Sequence, residues 1–276
     1  MWRGWRDVLD RQGFASAALD AKLLTGHGLG LSALDMAVRE GEPVAVEAAE
    51  RIAGLMQRRM TGESVARIIG EREFYGLAFA LNAATLEPRP ETELLVDMAL
   101  ETLARGGRLL DLGTGTGCIP IAVLANRPDV TAIATDLSAQ ALSAAQQNAE
   151  RHGVLQRLAL QQGSWFEALA RPEPIFDLIV SNPPYINSDV IETLAEDVKS
   201  FDPRLALDGG PDGVAPYRVI AAQAAGWLRP GGQVLVEIGH DQGQVVAALL
   251  QAAGFGQVTV HKDLNGLDRV VSAHHV

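Results

Sequence analysis

The chain has 276 residues, of which 47% are hydrophobic, and a formal net charge of -11. This length exceeds one typical domain, and no apolar run reaches the ~18–20 residues that cross a bilayer, so we expect no membrane span and no signal peptide. The acidic balance disfavours stable binding to nucleic acid. Cys118 is the only cysteine, which excludes an intrachain disulfide and suits the cytoplasm.

Residues 1–70 are predicted to form a small all-helical domain. A helical spacing of leucines follows Ser16, a candidate N-cap, and we interpret His27 on that helix as a packed histidine. A longer helix is predicted to begin near residue 44, with Ile52 and Met56 on its buried face. These residues predict helices that pack against one another, and they give no indication of a function.

Residues 71–87 change character and are predicted to form a β-hairpin linker. Aromatic residues and partial alternation surround a central Gly76. After the linker, Pro90 stands where a helix begins, and Glu91 and Glu93 complement the positive end of its dipole. We therefore expect a second domain over residues 88–276.

From residue 108 onward, strands and helices alternate, which is typical of a doubly wound α/β fold. Strands are predicted at 108–112, 130–135, 157–161, 176–181, 233–238, 256–262 and 268–273. Helices are predicted near 117–126, 138–151, 188–199, 213–228 and 241–253. The connection between the last two strands is too short for a parallel crossover, so that pair is expected to be antiparallel. The predicted sheet is therefore seven-stranded and mostly parallel.

A glycine-rich loop follows the first strand of the alternating region. It reads Gly113-Thr114-Gly115-Thr116-Gly117, and glycine at every second position lets a ligand lie against the backbone. A dinucleotide fingerprint beginning at Gly113 needs glycine where Cys118 stands, and the Gly-Lys-Ser/Thr of a P-loop is absent. A ligand with an adenosine but without phosphates fits this loop better.

Two further residues are candidates for contact with such a ligand. Asp136 ends the next strand, where a carboxylate accepts hydrogen bonds from both ribose hydroxyls in dinucleotide folds; the alternative is that it caps the helix near Ser138. Trp165 follows the third strand and is either an aromatic wall for adenine or an ordinary core residue.

The segment Asn182-Pro183-Pro184-Tyr185 follows a buried strand, at the edge where open α/β sheets bind ligands. The prolines end the strand and fix their own φ angles. The Asn182 side-chain carbonyl and the Pro183 main-chain carbonyl are suited to accept both hydrogens of one planar NH2 group, and Tyr185 offers an aromatic face. Neither acceptor ionises near neutral pH, so we expect no general base in this segment and a flat rate–pH profile between about 7 and 9.

Together these features resemble the class I S-adenosylmethionine-dependent methyltransferases, and most closely the PrmC/HemK family, the glutamine N5-methyltransferases of bacterial peptide chain release factors. The resemblance also rests on segments 74–77 (FYGL), 88–93 (PRPETE), 164–166 (SWF), 203–210 (PRLALDGG) and 263–271 (DLNGLDRVV). The Asn-Pro-Pro-Tyr motif alone is shared with adenine N6-methyltransferases, and the surrounding segments are more specific. The departures are Ala78, Glu87 and Cys118, where the family more often has proline, an aliphatic residue, and alanine or serine.

The resemblance implies a set of residue roles. It places the methyl donor, S-adenosyl-L-methionine, on Gly113, Thr114, Gly115, Thr116, Gly117, Asp136, Trp165 and Asn182. It places the acceptor glutamine on Asn182, Pro183, Pro184 and Tyr185, with Asn182, Pro183 and Tyr185 as catalytic residues and no metal ligand.

The resemblance also implies a partner and a product. The partner is the Gly-Gly-Gln loop of a bacterial release factor, which the helical domain helps to grip, and the product is S-adenosyl-L-homocysteine. Three alternatives remain at this point: methylation of adenine N6 in nucleic acid, methylation of a glutamine in another protein such as a ribosomal one, and donor binding without catalysis. The roles of Arg89 and Glu237 stay open.

Overall fold

The structure, a computed structural model, describes residues 1–170 and 175–276. It divides into two compact units, one formed by Met1–Glu71 with Ala195–Phe201 and the other by Arg72–Leu194 with Asp202–Val276. Within the described residues, none of the helices is long and apolar enough to cross a membrane.

The first unit is helical. Its helices are α1 (Trp2–Arg11), α2 (Ala17–Leu29), α3 (Ala33–Val38), α4 (Val46–Met60), α5 (Val65–Ile69) and, further along the chain, α9 (Glu196–Lys199). One apolar cluster joins α1, α2, α4 and α5, and its buried members are Leu9, Ala17, Ala21, Leu24, Ile52, Met56 and Ile68. This unit therefore has a hydrophobic core of its own.

A buried ion pair crosses this core between α2 and α4. Arg59 Nε donates to Asp20 Oδ2 at 2.7 Å, and the guanidinium lies 4.2 Å from the centre of the Phe14 ring. The interpretation of His27 as a packed residue is wrong, because His27 is exposed. The buried face of α2 is instead the one that carries Asp20 and Leu24.

A β-hairpin opens the second unit. Strands β1 (Glu71–Phe74) and β2 (Leu77–Ala80) are joined by Tyr75 and Gly76, whose φ angles are 52° and 71°. Positive φ at both central residues matches the twist of a tight two-residue hairpin. Phe74 and the buried Phe79 pack edge to face, with ring centroids 6.1 Å apart.

The second unit is built on the predicted seven-stranded sheet. Its strands are β3 (Arg108–Leu112), β4 (Thr131–Asp136), β5 (Leu158–Gln162), β6 (Phe176–Ser181), β7 (Leu228–Glu237), β8 (Gly256–Lys262) and β9 (Asp268–His274). Their order is β5-β4-β3-β6-β7-β9-β8, with β9 antiparallel to both of its neighbours and the other pairings parallel. The chain winds outward from β3 in both directions, so β3 and β6 meet at the point where the strand order reverses. Ligands bind at the carboxyl ends of strands at such a point.

Helices cover both faces of this sheet. They are α6 (Glu93–Thr102), α7 (Cys118–Asn126), α8 (Ala139–Arg151), α10 (Ala215–Gln223) and α11 (Gly243–Ala252). Alternate residues of a strand point to opposite faces, and Leu109 accordingly belongs to the core under α6 and α7 while Leu110 belongs to the core under α10 and α11. Burial on both faces explains why the central strands β3 and β6 consist mostly of apolar residues.

The single helix predicted near 188–199 is wrong. The chain forms a 3-10 helix over Ser188–Thr193 and then α9, because Leu194 and Ala195 adopt extended backbone with ψ angles of 161° and 145°. An extended residue cannot continue the helical hydrogen-bond ladder, so the predicted helix is divided in two.

The helix predicted near 213–228 is also shorter than expected. Helix α10 is followed by a 3-10 helix at Ala224–Gly226, and β7 begins at Leu228 rather than near 233. The early start reflects the pairing of Leu228 with Phe176, after which a register shift accommodates Pro230 and the glycines that follow it.

Candidate active site

A cavity of about 430 Å³ opens in the second unit at the carboxyl ends of β3 and β6. This volume lies within the range of ~300–1,000 Å³ that small ligands occupy. The predicted site residues that line it are Gly113, Thr114, Gly115, Thr116, Asp136, Trp165, Asn182 and Pro184. Gly117, Pro183 and Tyr185 lie outside this lining. The sheet topology thus brings together side chains that are far apart in sequence.

The glycine loop has the backbone conformation that its sequence requires. Gly113, Gly115 and Gly117 have φ angles of 74°, 56° and 78°. The Gly113 and Thr114 amides both donate to the Thr135 carbonyl at 2.9 Å, which ties the loop to the end of β4. At Gly117 a Cβ atom would lie 2.8 Å from Ile121 Cδ1, so this glycine serves close packing against α7.

Asp136 holds the loop and the following helix together. Its Oδ2 accepts from the Gly115 amide at 2.8 Å, and its Oδ1 accepts from the Ser138 amide at 2.8 Å. Burial raises its pKa, and these backbone bonds oppose the shift. The side chain borders the cavity, while the N-cap contact inside α8 comes from Ser138, which accepts from Ala141. The alternative that Asp136 caps this helix is therefore wrong, because Ser138 is the N-cap, and a contact of Asp136 with a ribose stays a prediction.

Asp111 is a functional candidate that the sequence reasoning missed. It is fully buried in β3 behind the glycine loop, and neither carboxyl oxygen has a hydrogen-bond partner within 1–170 and 175–276. Burial raises its pKa to about 7, while an interaction with the Thr114 side chain opposes the shift and the Asp136 charge adds to it. The sequence feature that could have identified Asp111 is its position as a carboxylate among the leucines of the strand directly before the glycine loop.

Trp165 lines the cavity in an unusual backbone conformation. Its φ angle is 50°, a left-handed value that bulky residues rarely adopt. Its ring edge lies 3.8 Å from the position that a Cβ of Gly113 would take. Residues held in such sparsely populated regions cluster at functional sites. The conformation favours the role of an aromatic wall over that of an ordinary core residue.

Asn182 leaves the end of β6 and reaches the cavity. Its Nδ2 donates to Thr92 Oγ1 at 3.1 Å, and Thr92 is 2% exposed. The neighbouring Pro183 is buried, and its carbonyl accepts no hydrogen bond from the described part of the chain. The amide nitrogen of Asn182 is therefore engaged with the protein, while the Pro183 carbonyl keeps its acceptor capacity.

Tyr185 supports the segment from behind. Gln242 Nε2 donates to the Tyr185 carbonyl at 2.9 Å, and the ring packs against the apolar core under α10 and α11. Burial raises the pKa of Tyr185 to about 12, so its hydroxyl stays protonated at neutral pH.

A glycine pair clamps the proline segment. A Cβ atom at Gly209 would lie 2.9 Å from the Pro184 carbonyl oxygen, and one at Gly213 would lie 2.6 Å from the Tyr185 carbonyl oxygen. Real Cβ atoms do not approach backbone this closely. Only glycine at positions 209 and 213 lets this loop lie against the Asn-Pro-Pro-Tyr segment. This contact explains why the chain has both the glycine-containing loop and the proline-containing segment.

Two charged residues that the sequence left open lie beside these groups. Glu237 at the end of β7 is 1% exposed, and its carboxyl interacts with the Thr92 and Asn182 side chains. Burial raises the pKa of Glu237 to about 7. Arg89 borders the cavity and donates to Asp202 Oδ2 at 2.8 Å, which anchors the turn before α6. The atypical Glu87 is buried and forms an ion pair with Arg72 at 3.4 Å.

Comparison with known proteins gives two domain matches and many relatives. Residues 1–70 match the PrmC N-terminal domain, and residues 89–200 match the methyltransferase small domain. The chain is 45% identical over 273 residues to a release factor glutamine methyltransferase of Agrobacterium fabrum, an alignment that covers 97% of this chain and 93% of that protein. It is 46% identical over 262 residues to one of Cereibacter sphaeroides, covering 95% and 92%.

Solved structures show the same fold at lower identity. A methyltransferase from Pyrococcus furiosus superposes with a TM-score of 0.55 at 19% identity, covering 81% of this chain and 98% of that one. This likeness concerns the fold of the sheet and its helices.

Proposed function

We propose, from the premise that the chain belongs to the release factor glutamine methyltransferase family, that it methylates the side-chain amide nitrogen of the glutamine in the Gly-Gly-Gln motif of bacterial peptide chain release factors. The methyl donor is S-adenosyl-L-methionine, and the second product is S-adenosyl-L-homocysteine. The observation that carries the proposal is the position of Asn182, which leaves β6 directly beside the glycine loop that follows β3.

The cavity fits the donor in shape and charge. The donor carries adenosine, a sulfonium and an ammonium group, and no phosphate. Trp165 offers an aromatic face, Asp136 borders the cavity with a carboxylate, and the glycine loop presents backbone without Cβ atoms. The unpartnered carboxyl of Asp111 lies behind the loop and adds negative charge beneath a cationic ligand.

The acceptor amide is held by two carbonyl groups. The planar amide of Asn182 turns its nitrogen towards Thr92, so its Oδ1 points away from Thr92 and is free to accept from the substrate. The Pro183 carbonyl supplies the second acceptor. When both N–H bonds are held, the open face of the glutamine nitrogen points at the methyl carbon, and placement at ~3–3.5 Å contributes several kcal/mol.

The reaction is a direct displacement. The nitrogen lone pair forms the new N–C bond while the C–S bond breaks and its electrons remain on sulfur, which leaves as a thioether. The nitrogen then loses one of its two protons to solvent, so the methylated amide is neutral. Both acceptors strengthen as positive charge moves from sulfur to nitrogen, which lowers the barrier.

The same reasoning extends to the partner and the compartment. We propose that residues 1–70 form the domain that grips the release factor, with 71–87 as linker and 88–276 as catalytic domain. The net charge of -11 supports an enzyme without stable binding to nucleic acid. A release factor substrate and one buried cysteine support a cytoplasmic location.

The test is methyl transfer from labelled S-adenosylmethionine to a purified release factor, with mass mapping of the labelled peptide. We expect the label on the glutamine of Gly-Gly-Gln, and none on a release factor in which that glutamine is alanine. Label on another residue, or equal labelling of the alanine variant, would contradict the proposal.

The alternatives are separated by further acceptors in the same assay. Transfer to adenine in an oligonucleotide, or to a glutamine of a ribosomal protein, at a rate exceeding that for the release factor would change the substrate class. Donor binding by calorimetry without transfer to any acceptor would indicate a binding module. The intact Asn-Pro-Pro-Tyr segment argues against the last outcome.

A further inference from the structure

The sheet places Glu237 beside Asn182. Ser181 pairs with Val236 in the parallel ladder between β6 and β7, so the next residues, Asn182 and Glu237, leave the sheet side by side. The Glu237 backbone is fixed on both sides, because its carbonyl accepts from Tyr217 Oη at 2.8 Å and the residue pairs with β9. Its carboxyl therefore has a defined position next to the amide.

Thr92 connects the two side chains. Its hydroxyl oxygen accepts from Asn182 Nδ2 at 3.1 Å, which leaves its single hydroxyl hydrogen to interact with the Glu237 carboxyl, and that carboxyl also interacts with Asn182. Thr92 is almost fully buried at the end of a 3-10 helix over Pro90–Thr92, so it cannot turn to water instead. A chain of polar groups thus runs from Glu237 through Thr92 to Asn182.

Glu237 does not behave as an ordinary structural carboxylate. A buried carboxylate is normally paired with a cation or fully hydrogen-bonded. Glu237 Oε2 has no hydrogen-bond partner in the described residues. Arg269, the cation whose charge acts on it, donates instead to Asp263 and to the Ile238 carbonyl, each at 3.3 Å. The remaining side-chain interactions of the Glu237 carboxyl are with Thr92 and Asn182.

We propose that Glu237 is a positioning residue that, directly and through Thr92, holds the Asn182 amide with Nδ2 turned to the protein and Oδ1 turned to the substrate. This inference rests on the proposed function. The two ends of an asparagine amide have nearly the same shape, but only the oxygen can accept from a glutamine N–H. An ionised carboxylate only accepts, so it selects the nitrogen end of Asn182 and fixes the catalytic orientation.

The arrangement predicts how the rate responds to acid. The groups that face Glu237 are Arg269 on β9, Glu91 before α6, Cys118 on α7, Tyr185 after β6 and Tyr217 on α10. Burial raises the pKa of the Cys118 thiol and of both tyrosines far above neutrality, and it raises the pKa of Glu237 to about 7. Protonated Glu237 is a donor and no longer selects the nitrogen of Asn182. The rate therefore falls below pH 7, and the flat profile expected from the proline segment alone holds above this pKa.

The first experiment compares Thr92→Val with Thr92→Ser. Valine keeps the shape and removes the hydroxyl, whereas serine keeps the hydroxyl. We expect Thr92→Val to lower kcat on release factor ~10-fold or more, with KM and donor Kd within ~3-fold, and Thr92→Ser to retain most of the wild-type kcat. Equal kcat in the two variants, or a change in KM alone, would overturn the proposal.

The second experiment uses Glu237→Gln and the pH profile. Glutamine keeps an acceptor oxygen but cannot ionise, so the acid limb of kcat should disappear while the rate at pH 8 falls ~10-fold. A limb that persists in Glu237→Gln would contradict the assignment, since a merely structural change shifts the height of the profile and not its form.

A third measurement needs no active variant. In the wild-type protein, the side-chain amide signals of Asn182 in a nitrogen–proton correlation spectrum, assigned with Asn182→Asp, should shift with a midpoint near the Glu237 pKa of about 7. Signals that stay constant from pH 5.5 to about 8.5 would overturn the inference. If the wild-type enzyme fails to methylate release factor but the Asn182 signals titrate, the proposed function is wrong, while the inference that Glu237 orients the Asn182 amide is still supported.

Discussion

Three carboxyl groups lie at or near the ends of β3, β4 and β7, and they differ in what their oxygens contact. The partly buried Asp136 lines the cavity and accepts from two backbone amides, the buried Glu237 interacts with two side chains, and the buried Asp111 interacts with the Thr114 side chain. Their common feature is a pKa raised by burial. S-adenosyl-L-methionine carries a sulfonium, an ammonium and a carboxylate group and therefore one net positive charge, so ionised carboxyl groups near its sulfonium and ammonium groups favour its binding.

Asn182→Ala tests the central residue directly. Removal of the amide leaves the acceptor nitrogen unheld, so we expect kcat to fall at least ~100-fold while donor Kd changes by less than ~5-fold. Steady-state methyl transfer and calorimetry measure the two quantities. Asn265→Ala in the exposed turn before β9 is the matched control and should behave as wild type. Turnover within a few-fold of wild type in Asn182→Ala would remove the role assigned to this residue.

Asp111→Asn tests the buried charge through stability. The folded-state pKa of Asp111 is about 7 and its ordinary value is 3.8, so the folded protein holds the proton more tightly. This favourable contribution is complete below the ordinary value and is lost as pH rises through about 7, which lowers the free energy of unfolding by roughly 4 kcal/mol.

Denaturant unfolding of the ligand-free protein at pH 5 and pH 8 measures the part of this effect that lies between these two pH values, roughly 3 kcal/mol. Asp111→Asn should lose part of the difference in unfolding free energy between the two pH values, and it should bind donor more weakly. An unchanged difference would show that the Asp111 carboxyl does not titrate in this window.

At the scale of elements, the site is made by two loops that must lie against each other. The sequence identified the glycine loop and the Asn-Pro-Pro-Tyr segment separately, since each follows an apolar strand. It did not identify the contact of Gly209 with Pro184, because that contact depends on the path of an irregular segment of about 20 residues. Regular strands could be predicted from periodicity. The break at Leu194 and Ala195 could not, because Val190, Ile191, Leu194 and Val198 follow the spacing of one continuous helix.

Gly209→Ala tests the clamp between these loops. The added Cβ would lie 2.8 Å from the Gly213 carbonyl and 2.9 Å from Pro184 and Tyr185 backbone atoms, so backbone must move. We expect loss of kcat by more than ~10-fold and a free energy of unfolding lower by about 2 kcal/mol. Gly54→Ala is the control, because nothing lies within 4 Å of its added Cβ in α4 and a helical alanine stabilises by ~1 kcal/mol. Equal activity of the two variants would exclude the clamp.

Side chains that act through a neighbour were the hardest to predict from sequence. Asn182 is visible as a motif, but Thr92 is 90 residues away and ordinary in its own segment. Glu237 was noticed only as a carboxylate at a strand end. Their connection depends on the β6–β7 register, which is fixed by tertiary pairing and not by local sequence.

At the scale of the whole molecule, two hydrophobic cores imply two sources of stability. The helical unit has its own apolar cluster and the buried pair between Asp20 and Arg59. Breaking a buried pair by removing one partner leaves an uncompensated charge.

Asp20→Ala should therefore destabilise the helical unit by ~2–4 kcal/mol and leave donor Kd unchanged, since the donor cavity is lined by the other unit. Hydrogen exchange of α2 and α4 measures the first effect, and calorimetry the second. Glu42→Ala removes the partner of Arg39 in an exposed pair and should leave the stability of the unit close to that of the wild type. A donor affinity that falls with Asp20→Ala would show that the two units are coupled in stability.

One side chain joins the hairpin to the donor loop. Asn148 on α8 is fully buried, accepts from the Ala80 amide at 2.8 Å and donates to the Thr116 carbonyl at 2.9 Å. Order in the loop around Thr116 is therefore linked to order at the end of β2. A ligand that binds more tightly when the loop is ordered and a partner that binds more tightly when the hairpin is ordered raise each other's affinity by the same factor.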